Sequence, residues 1–195
     1  RTTAPLTWPI AVPEGDWLRT LQTTWVEPGY LEVDASWCAP GGEPMSAHGN
    51  GGAFGGKTTG EVGEVARRLA AEHGRAVRVL FTREDVVRAG PKRPPIAAGV
   101  RADGSGIVHV VRTPGIAEAI GSVATELEVI EVDVVGPATS SQLRGAGWVE
   151  AAVLLASLDD GPVRRIVSPS GAIATASVAT DGSLEVSVDA GEVLD

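Results

Sequence analysis

Cysteine, aromatic residues and long apolar runs are all scarce in this sequence. Cys38 is the single cysteine among 195 residues, so it can form no disulfide within the chain, and the fold must depend on packing. No apolar run reaches the roughly 18 residues that a membrane helix needs, and the start of the chain does not resemble a signal peptide. We therefore expect a soluble, cytoplasmic protein of one or two domains with no membrane partner.

Basic residues are also in short supply. Sixteen Lys and Arg residues stand against 25 Asp and Glu residues, which gives a formal net charge of -9. Nucleic-acid binding needs a clustered basic face that no segment offers, so we expect no nucleic-acid partner. An anionic ligand would have to be held locally, by backbone amides. The chain begins at Arg1 and not at Met, which favours a processed chain or a fragment.

Apolar periodicity predicts an α/β (α+β) fold with a mixed sheet of short strands and hairpins. Apolar residues at helical spacing from Val62 to Ala70, followed by Gly74 as the stop, predict one main helix, and residues 148–158 predict the second. Each of these helices follows a glycine-rich loop. Hairpin and strand signals predict a turn at Asp103-Gly104 within 96–112, strands at 31–37, 77–81 and 127–135, and three more strands in the tail.

The first glycine-rich loop, GNGGAFGGKTTG at residues 49–60, allows three interpretations. Gly51, Gly56, Lys57 and Thr58 fit the phosphate-loop pattern of nucleotide hydrolases. That mechanism needs a buried strand before the loop, and residues 44–50 contain no run of Val, Ile or Leu. The loop could instead be a turn without a ligand, or a cradle for a different anion that uses the positive end of the following helix.

Residues 51–57 resemble the GGGFGGK loop of the molybdenum-cofactor-binding subunit of the xanthine dehydrogenase and aldehyde oxidase family. Four further stretches are similar to motifs of that family and occur in the same order. They are TWVEPGYLEV at 24–33, GRAVRVLFTREDVV at 74–87, Lys92-Arg93-Pro94 with the hairpin at 99–108, and LRGAGW at 143–148. The last stretch resembles the family's R-G-F-G-x-P-Q loop, with Ala146 in place of the usual aromatic residue.

The resemblance implies a binding site for molybdopterin, possibly as a dinucleotide. It implies cofactor contact in the first loop and in the second, at Gly52, Phe54, Gly55, Gly56, Arg144, Gly145 and Ala146. It also implies an oxidoreductase of the molybdenum hydroxylase type, with iron–sulfur and flavin subunits as partners. The family's subunits are several times longer than this chain, so we expect a truncated unit that a second protein chain, or a homo-oligomer, completes.

The catalytic residues of such an enzyme are not identified by the motifs. Glu192 follows a glycine, as the family's catalytic glutamate does, but its neighbours indicate a solvated carboxylate at the end of a strand. Cys38 and His48 are too few and too far apart in sequence to indicate a metal site, and we interpret them as a buried thiol and a loop histidine.

The domain prediction separates an N-terminal arm and strand, residues 1–45, from a molybdopterin-binding-like α/β domain, residues 46–195. Four of the five tryptophans lie in the arm, where large aromatic residues are suited to an interface. A second functional hypothesis stays open beside the first. The chain could be a non-catalytic descendant of the family that acts as a structural or protein-interaction module without cofactor.

Overall fold

A computed structural model describes residues 7–29, 32–46, 52, 54–57, 61–158, 164–167, 173–179, 181 and 183–189. The chain divides into two compact units. The loop unit comprises Glu27–Arg93 and Gly136–Arg144, and the sheet unit comprises Arg1–Val26, Pro94–Val135 and Gly145–Asp195. The predicted boundary between residues 45 and 46 stays a prediction.

Charge is divided unevenly between the two units. The loop unit has ten basic and nine acidic residues, so its formal net charge is +1. The sheet unit has six basic and 16 acidic residues, so its formal net charge is -10. The acidic excess of the sequence therefore lies in the sheet unit, and the loop unit by itself is close to neutral.

The described residues form nine strands and four helices. In chain order these are β1 Arg19–Gln22, β2 Ala35–Cys38, α1 Glu61–His73, β3 Val77–Leu80, α2 Arg83–Ala89, β4 Ile96–Val100, β5 Gly106–Val111, α3 Ile116–Gly121, β6 Leu127–Val132, α4 Trp148–Ala156, β7 Arg164–Val167, β8 Ile173–Val178 and β9 Leu184–Asp189. None of the helices in this described part of the chain has both the length and the apolar character to cross a membrane.

In the loop unit, α1 packs on an antiparallel pair of strands, β2 and β3. Val62, Ala66 and Ala70 are buried because they recur at the spacing that keeps side chains on one helix face. Ala66 and Ala70 pack with Cys38 and with the half-buried valines of β3. Gly74, at a φ of +61°, ends the helix as predicted.

The second helix of the loop unit, α2, was not predicted. Thr82 is its N-cap, and the Asp85 N–H donates to the Thr82 hydroxyl while the Thr82 N–H donates to the Asp85 carboxylate. This capping box satisfies amides that the first turn leaves without partners. A seven-residue helix with two adjacent valines has little helical periodicity, so local capping determines it more than apolar spacing does.

In the sheet unit, four strands form a mixed sheet in the order β1-β4-β5-β6. β4 and β5 form the predicted hairpin, with Gly104 in the turn at a φ of +88°. β5 and β6 run parallel, and the connection between them contains α3, which was not predicted. Ile116 and Ile120 of α3 are fully buried.

The remaining elements of the sheet unit are α4 and a separate antiparallel sheet of order β7-β8-β9. α4 begins after Gly147 and packs against β1, β4, α3 and this second sheet.

The predicted fold class, α/β (α+β) with a mixed sheet and short hairpins, is confirmed. The two predicted main helices are α1 and α4, the two longest in the described residues.

Candidate functional site

Residues from the two glycine-rich loops lie in direct contact within the loop unit. The Arg144 N–H donates to the Phe54 carbonyl oxygen at 2.9 Å. Gly55 packs so closely on the second loop that a Cβ at this position would lie 1.9 Å from the Gln142 carbonyl oxygen. Only glycine allows this approach of one backbone to another. We call Gly52, Phe54–Lys57 and Gln142–Arg144 the loop pair.

The backbone of Phe54 is strained at the centre of the loop pair. Phe54 has a φ of +51°, and among the described residues it is the one non-glycine residue with a positive φ. A bulky side chain in this region costs on the order of 1–3 kcal/mol and persists only where the surroundings hold it. The hydrogen bond from Arg144 and the packing of Gly55 provide that restraint.

The side chains of Phe54 and Arg144 stack on the exposed surface of the loop pair. The Arg144 guanidinium lies 5.2 Å from the centre of the Phe54 ring, within the range of a cation–π contact. Both residues are exposed, Phe54 at 37 %. A guanidinium is planar, and its fork of N–H groups is suited to a phosphate or carboxylate.

The other first-loop residues named from the sequence have different environments. Gly52 is half-buried at a φ of +73°, and Gly55 is exposed at a φ of +85°. Gly56 is buried, and so is Lys57, which is 5 % exposed and engaged within the protein. A phosphate loop needs its lysine to reach the ligand, and residues 43–46 form no strand. Both observations count against a nucleotide-hydrolase loop, and the two other interpretations, a turn without a ligand and an anion cradle, stay open.

The second-loop residues Gly145 and Ala146 belong to the sheet unit. Gly145 has a φ of +74°, and a Cβ there would lie 2.6 Å from Val149 Cγ2. The Gly145 carbonyl oxygen accepts from the Val149 N–H at 3.2 Å, next to the start of α4. Ala146 is 1 % exposed, so its methyl group is not open to a ligand from solvent. Arg144 is thus the second-loop residue with an accessible side chain among the three predicted.

A buried lysine, Lys92, lies beside the chain that leads into the second loop; the sequence motif at Lys92-Arg93-Pro94 predicted no partner for it. Lys92 is 7 % exposed, and its Nζ lies 2.8 Å from Glu27 Oε2 and donates to the Gly90 carbonyl oxygen at 2.5 Å. The Lys92 backbone donates to Ala138 at 2.8 Å and accepts from the Ser140 N–H at 3.2 Å. The two backbone contacts hold Ala138 and Ser140, which precede the loop pair, beside Lys92. The signal in the sequence was a lysine beside a Pro-rich stretch, which by itself indicates no partner.

Three further residues, Cys38, His48 and Glu192, were predicted to lie outside any metal or catalytic site. Cys38 is fully buried, and its sulfur lies 3.3 Å from the Ala39 carbonyl oxygen and 3.4 Å from the Gly42 carbonyl oxygen, two alternative acceptors for the single S–H. It is therefore the buried thiol that we expected. His48 and Glu192 lie outside the described residues. Within the part of the chain that the structure describes, no three His, Cys, Asp or Glu side chains are grouped to hold a metal ion.

No protein-family model matches the chain, and no curated protein compared with it is similar enough to count as a relative. The family resemblance therefore depends on the five motifs alone. The loop pair has one accessible guanidinium, that of Arg144, in a unit of formal net charge +1, and this donor fits an anionic group.

Proposed function

We propose that the loop pair binds the anionic pterin of a molybdenum cofactor. In this proposal the chain is the cofactor-binding portion of a molybdopterin hydroxylase of the xanthine dehydrogenase and aldehyde oxidase type, and it is incomplete alone. A second chain or domain completes the catalytic site. Iron–sulfur and flavin subunits are the further partners, and the cytoplasm is the compartment.

The observation that carries the proposal is the contact between two loops that are distant in sequence. Each loop was identified from its resemblance to a separate cofactor loop of the same family. Their backbones are joined by the hydrogen bond from Arg144 to Phe54, and their exposed side chains stack. A glycine-rich crossing with strain at Phe54 is costly for a purely structural turn, which supports a ligand interpretation.

The residues of this chain have binding and orienting roles in the proposal. Arg144 donates charge-assisted hydrogen bonds to the phosphate or another oxyanion of the ligand. The Phe54 ring lies under the guanidinium and shields one side of it from water. The contact of Gly55 with Gln142 fixes the spacing between the loops. When bound, the molybdenum cofactor would supply the redox chemistry.

The experiment compares cofactor content between two matched variants purified from molybdenum-replete cells. Arg144→Ala removes the guanidinium that stacks on Phe54. Arg101→Ala removes another exposed guanidinium, which lies 4.5 Å from the centre of the Trp17 ring in the sheet unit. We expect molybdenum and the fluorescence of oxidised pterin to fall about tenfold in Arg144→Ala, as for the loss of one charge-assisted contact. Arg101→Ala should match the unaltered chain.

Two results would contradict the proposal. The first is an unaltered chain that carries neither molybdenum nor pterin when it is purified with its partner chains. The second is equal cofactor content in Arg144→Ala and Arg101→Ala. The first result would show that the chain binds no molybdenum cofactor. The second would show that Arg144 does not contact the cofactor.

The second candidate function, a protein-interaction module without cofactor, is favoured by one surface of the loop unit. Trp37, Leu80 and Met45 are 49 %, 49 % and 44 % exposed. Trp37 and Leu80 lie on the β2–β3 pair, and the Met45 N–H donates to the Trp37 carbonyl oxygen at 2.8 Å. Exposed Trp and Met are enriched in protein interfaces. A chain that lacks cofactor and loses a co-purifying protein on Trp37→Ala would support this candidate.

A further inference from the structure

β6 forms one edge of the four-stranded sheet in the sheet unit. The Val132 carbonyl oxygen accepts from the Arg112 N–H at 2.9 Å, so Val132 directs its backbone groups toward the β5 side. In a parallel pair, alternate residues turn their N–H and C=O groups to opposite sides. Val129, Glu131 and Asp133 therefore direct theirs away from β5. Among the described residues, no strand pairs with this edge.

A groove lies beside the carboxyl end of this edge. It has a volume of about 310 Å³ and is lined by Val111, Arg112, Val132, Asp133, Val134 and Val135. Val132 and Val134 also pack on the buried cluster that contains Ile10, so one wall of the groove is firmly held. An added strand could place an apolar side chain here while its backbone pairs with β6.

Apolar side chains are also exposed along the edge itself. Ile130 is 37 % exposed, and alternation along the strand sets it on the same face as Val132. Val135, just beyond the strand, is fully exposed. Natural proteins usually protect an edge strand with lysine, proline or a bulge, and residues 127–135 contain neither lysine nor proline.

The charge of the edge identifies the kind of segment that fits it. Glu128 is exposed, and the Asp133 side chain is 80 % exposed although Arg112 Nε donates to it at 2.8 Å. The sheet unit that carries this strand has a formal net charge of -10. A basic segment is attracted to this surface and an acidic one is repelled.

The same charges disfavour a second copy of the chain as the occupant. A symmetric antiparallel pairing of two β6 strands joins the outward backbone groups of Val129, Glu131 and Asp133, and when it is centred on Glu131 it sets the two Glu131 side chains opposite each other. Like charges that face each other across a ladder are destabilising. Self-pairing would also bring together two units of formal charge -10.

We propose that β6 binds an extended protein segment as a fifth strand of the sheet. The segment alternates basic with apolar residues, pairs with the outward backbone groups of Val129, Glu131 and Asp133, and inserts one apolar side chain into the groove. This inference is independent of the cofactor proposal, because it concerns the sheet unit alone.

The test uses the full chain and a fluorescein-labelled peptide of ten alternating Lys and Val residues as the probe. Binding is followed by fluorescence anisotropy at fixed ionic strength. We expect saturable binding and new protection of the Val129 and Glu131 amides from hydrogen exchange. A peptide of alternating Glu and Val, and the Lys/Val peptide with alternate backbone nitrogens methylated, should each bind at least about tenfold more weakly.

Matched variants locate the binding on β6. Ile130→Lys adds a positive charge to the edge, whereas Val153→Lys adds one to α4 at an apolar position of almost equal exposure, 37 % against 38 %. We expect Ile130→Lys to weaken binding about tenfold and Val153→Lys to change it less than about twofold. Circular dichroism checks the fold of both. Glu128→Lys, at an exposed position, provides a second edge variant with the same expected loss.

Any of three results overturns the proposal. The Glu/Val peptide could bind as well as the Lys/Val peptide, or both edge variants could bind as Val153→Lys does. The third is protection of the Val129 and Glu131 amides through concentration-dependent dimerisation without peptide, which would make a second copy the occupant.

Discussion

Gly55→Ala is the substitution to which the contact between the two loops is most sensitive. Gly55 has a φ of +85°, and a Cβ built there lies 1.9 Å from the Gln142 carbonyl oxygen. Because that oxygen belongs to the backbone, it would have to move by more than about 1 Å to relieve the overlap. The movement would break the hydrogen bond from the Arg144 N–H to the Phe54 carbonyl oxygen, now 2.9 Å long.

Two contributions add up to the expected loss in free energy of unfolding for Gly55→Ala. A non-glycine residue in the left-handed region costs about 1–2 kcal/mol, and a lost backbone hydrogen bond costs about 1 kcal/mol. We therefore expect Gly55→Ala to lower the free energy of unfolding by about 2–3 kcal/mol. Gly74→Ala is the matched control, since Gly74 has a φ of +61° with nothing within 4 Å of its added Cβ. Gly74→Ala should lose only the about 1–2 kcal/mol that a non-glycine residue costs in the left-handed region.

The assay is urea unfolding of the full chain, together with amide hydrogen exchange at Arg144. The Gly55→Ala chain should unfold at least about 1 kcal/mol more easily than the Gly74→Ala chain. Its Arg144 amide should exchange faster, and that of the control should not. Equal unfolding free energies with unchanged protection at Arg144 would refute the close contact between the loops.

Three further predictions concern other parts of the fold. Thr82→Ala removes the N-cap of α2 and should lower the free energy of unfolding by about 1 kcal/mol in urea at neutral pH. The Thr82 hydrogen bonds hold the pKa of Asp85 below its usual value, so their stabilisation is present above the unfolded-state pKa and is lost as pH falls through the folded-state pKa. Arg112→Gln should raise the pKa of Asp133, measured by carboxyl ¹³C NMR, because the Arg112 hydrogen bond and charge lower it. Ile116→Ala, at a fully buried position, should cost about 2–5 kcal/mol in urea unfolding.

Each of these predictions has a contrary result. Thr82→Ala and the unaltered chain should differ less in free energy of unfolding at acidic pH than at neutral pH. If the difference stays the same in acid, the stabilisation by the Thr82 cap does not depend on the ionisation of Asp85. An Asp133 pKa that is the same with and without Arg112 would show that the ion pair does not persist in solution, where exposed pairs are weak. A loss below about 1 kcal/mol for Ile116→Ala would mean that α3 is not packed on the core.

Local signals were sufficient to predict the elements that local interactions determine. The apolar stripe of α1 and its glycine stop predicted a helix that forms within residues 61–73. Asp103-Gly104 predicted the hairpin because its turn needs a positive φ, which Gly104 adopts. The short helices α2 and α3 were missed because seven and six residues give too few apolar repeats to show helical periodicity.

Non-local pairing explains what the sequence could not predict. The parallel pairing of β5 with β6 depends on a crossover connection and leaves no short-range signal. The glycine at position 55 is required by the Gln142 carbonyl oxygen, whose approach no pattern near Gly55 reveals. The resemblance to two family loops predicted that Phe54, Gly55 and Arg144 share a site, and the structure brings these three residues together. Their ligand stays a proposal.

Titration of the ¹⁵N-labelled chain with a phosphorylated pterin, followed by NMR, tests the cofactor-site proposal most directly. We predict saturable shifts of the Gly55 and Arg144 amide signals, which are lost in Arg144→Ala and retained in Arg101→Ala. If neither signal responds while the pterin is in excess, or if both variants respond alike, the loop pair is not the binding site that we propose.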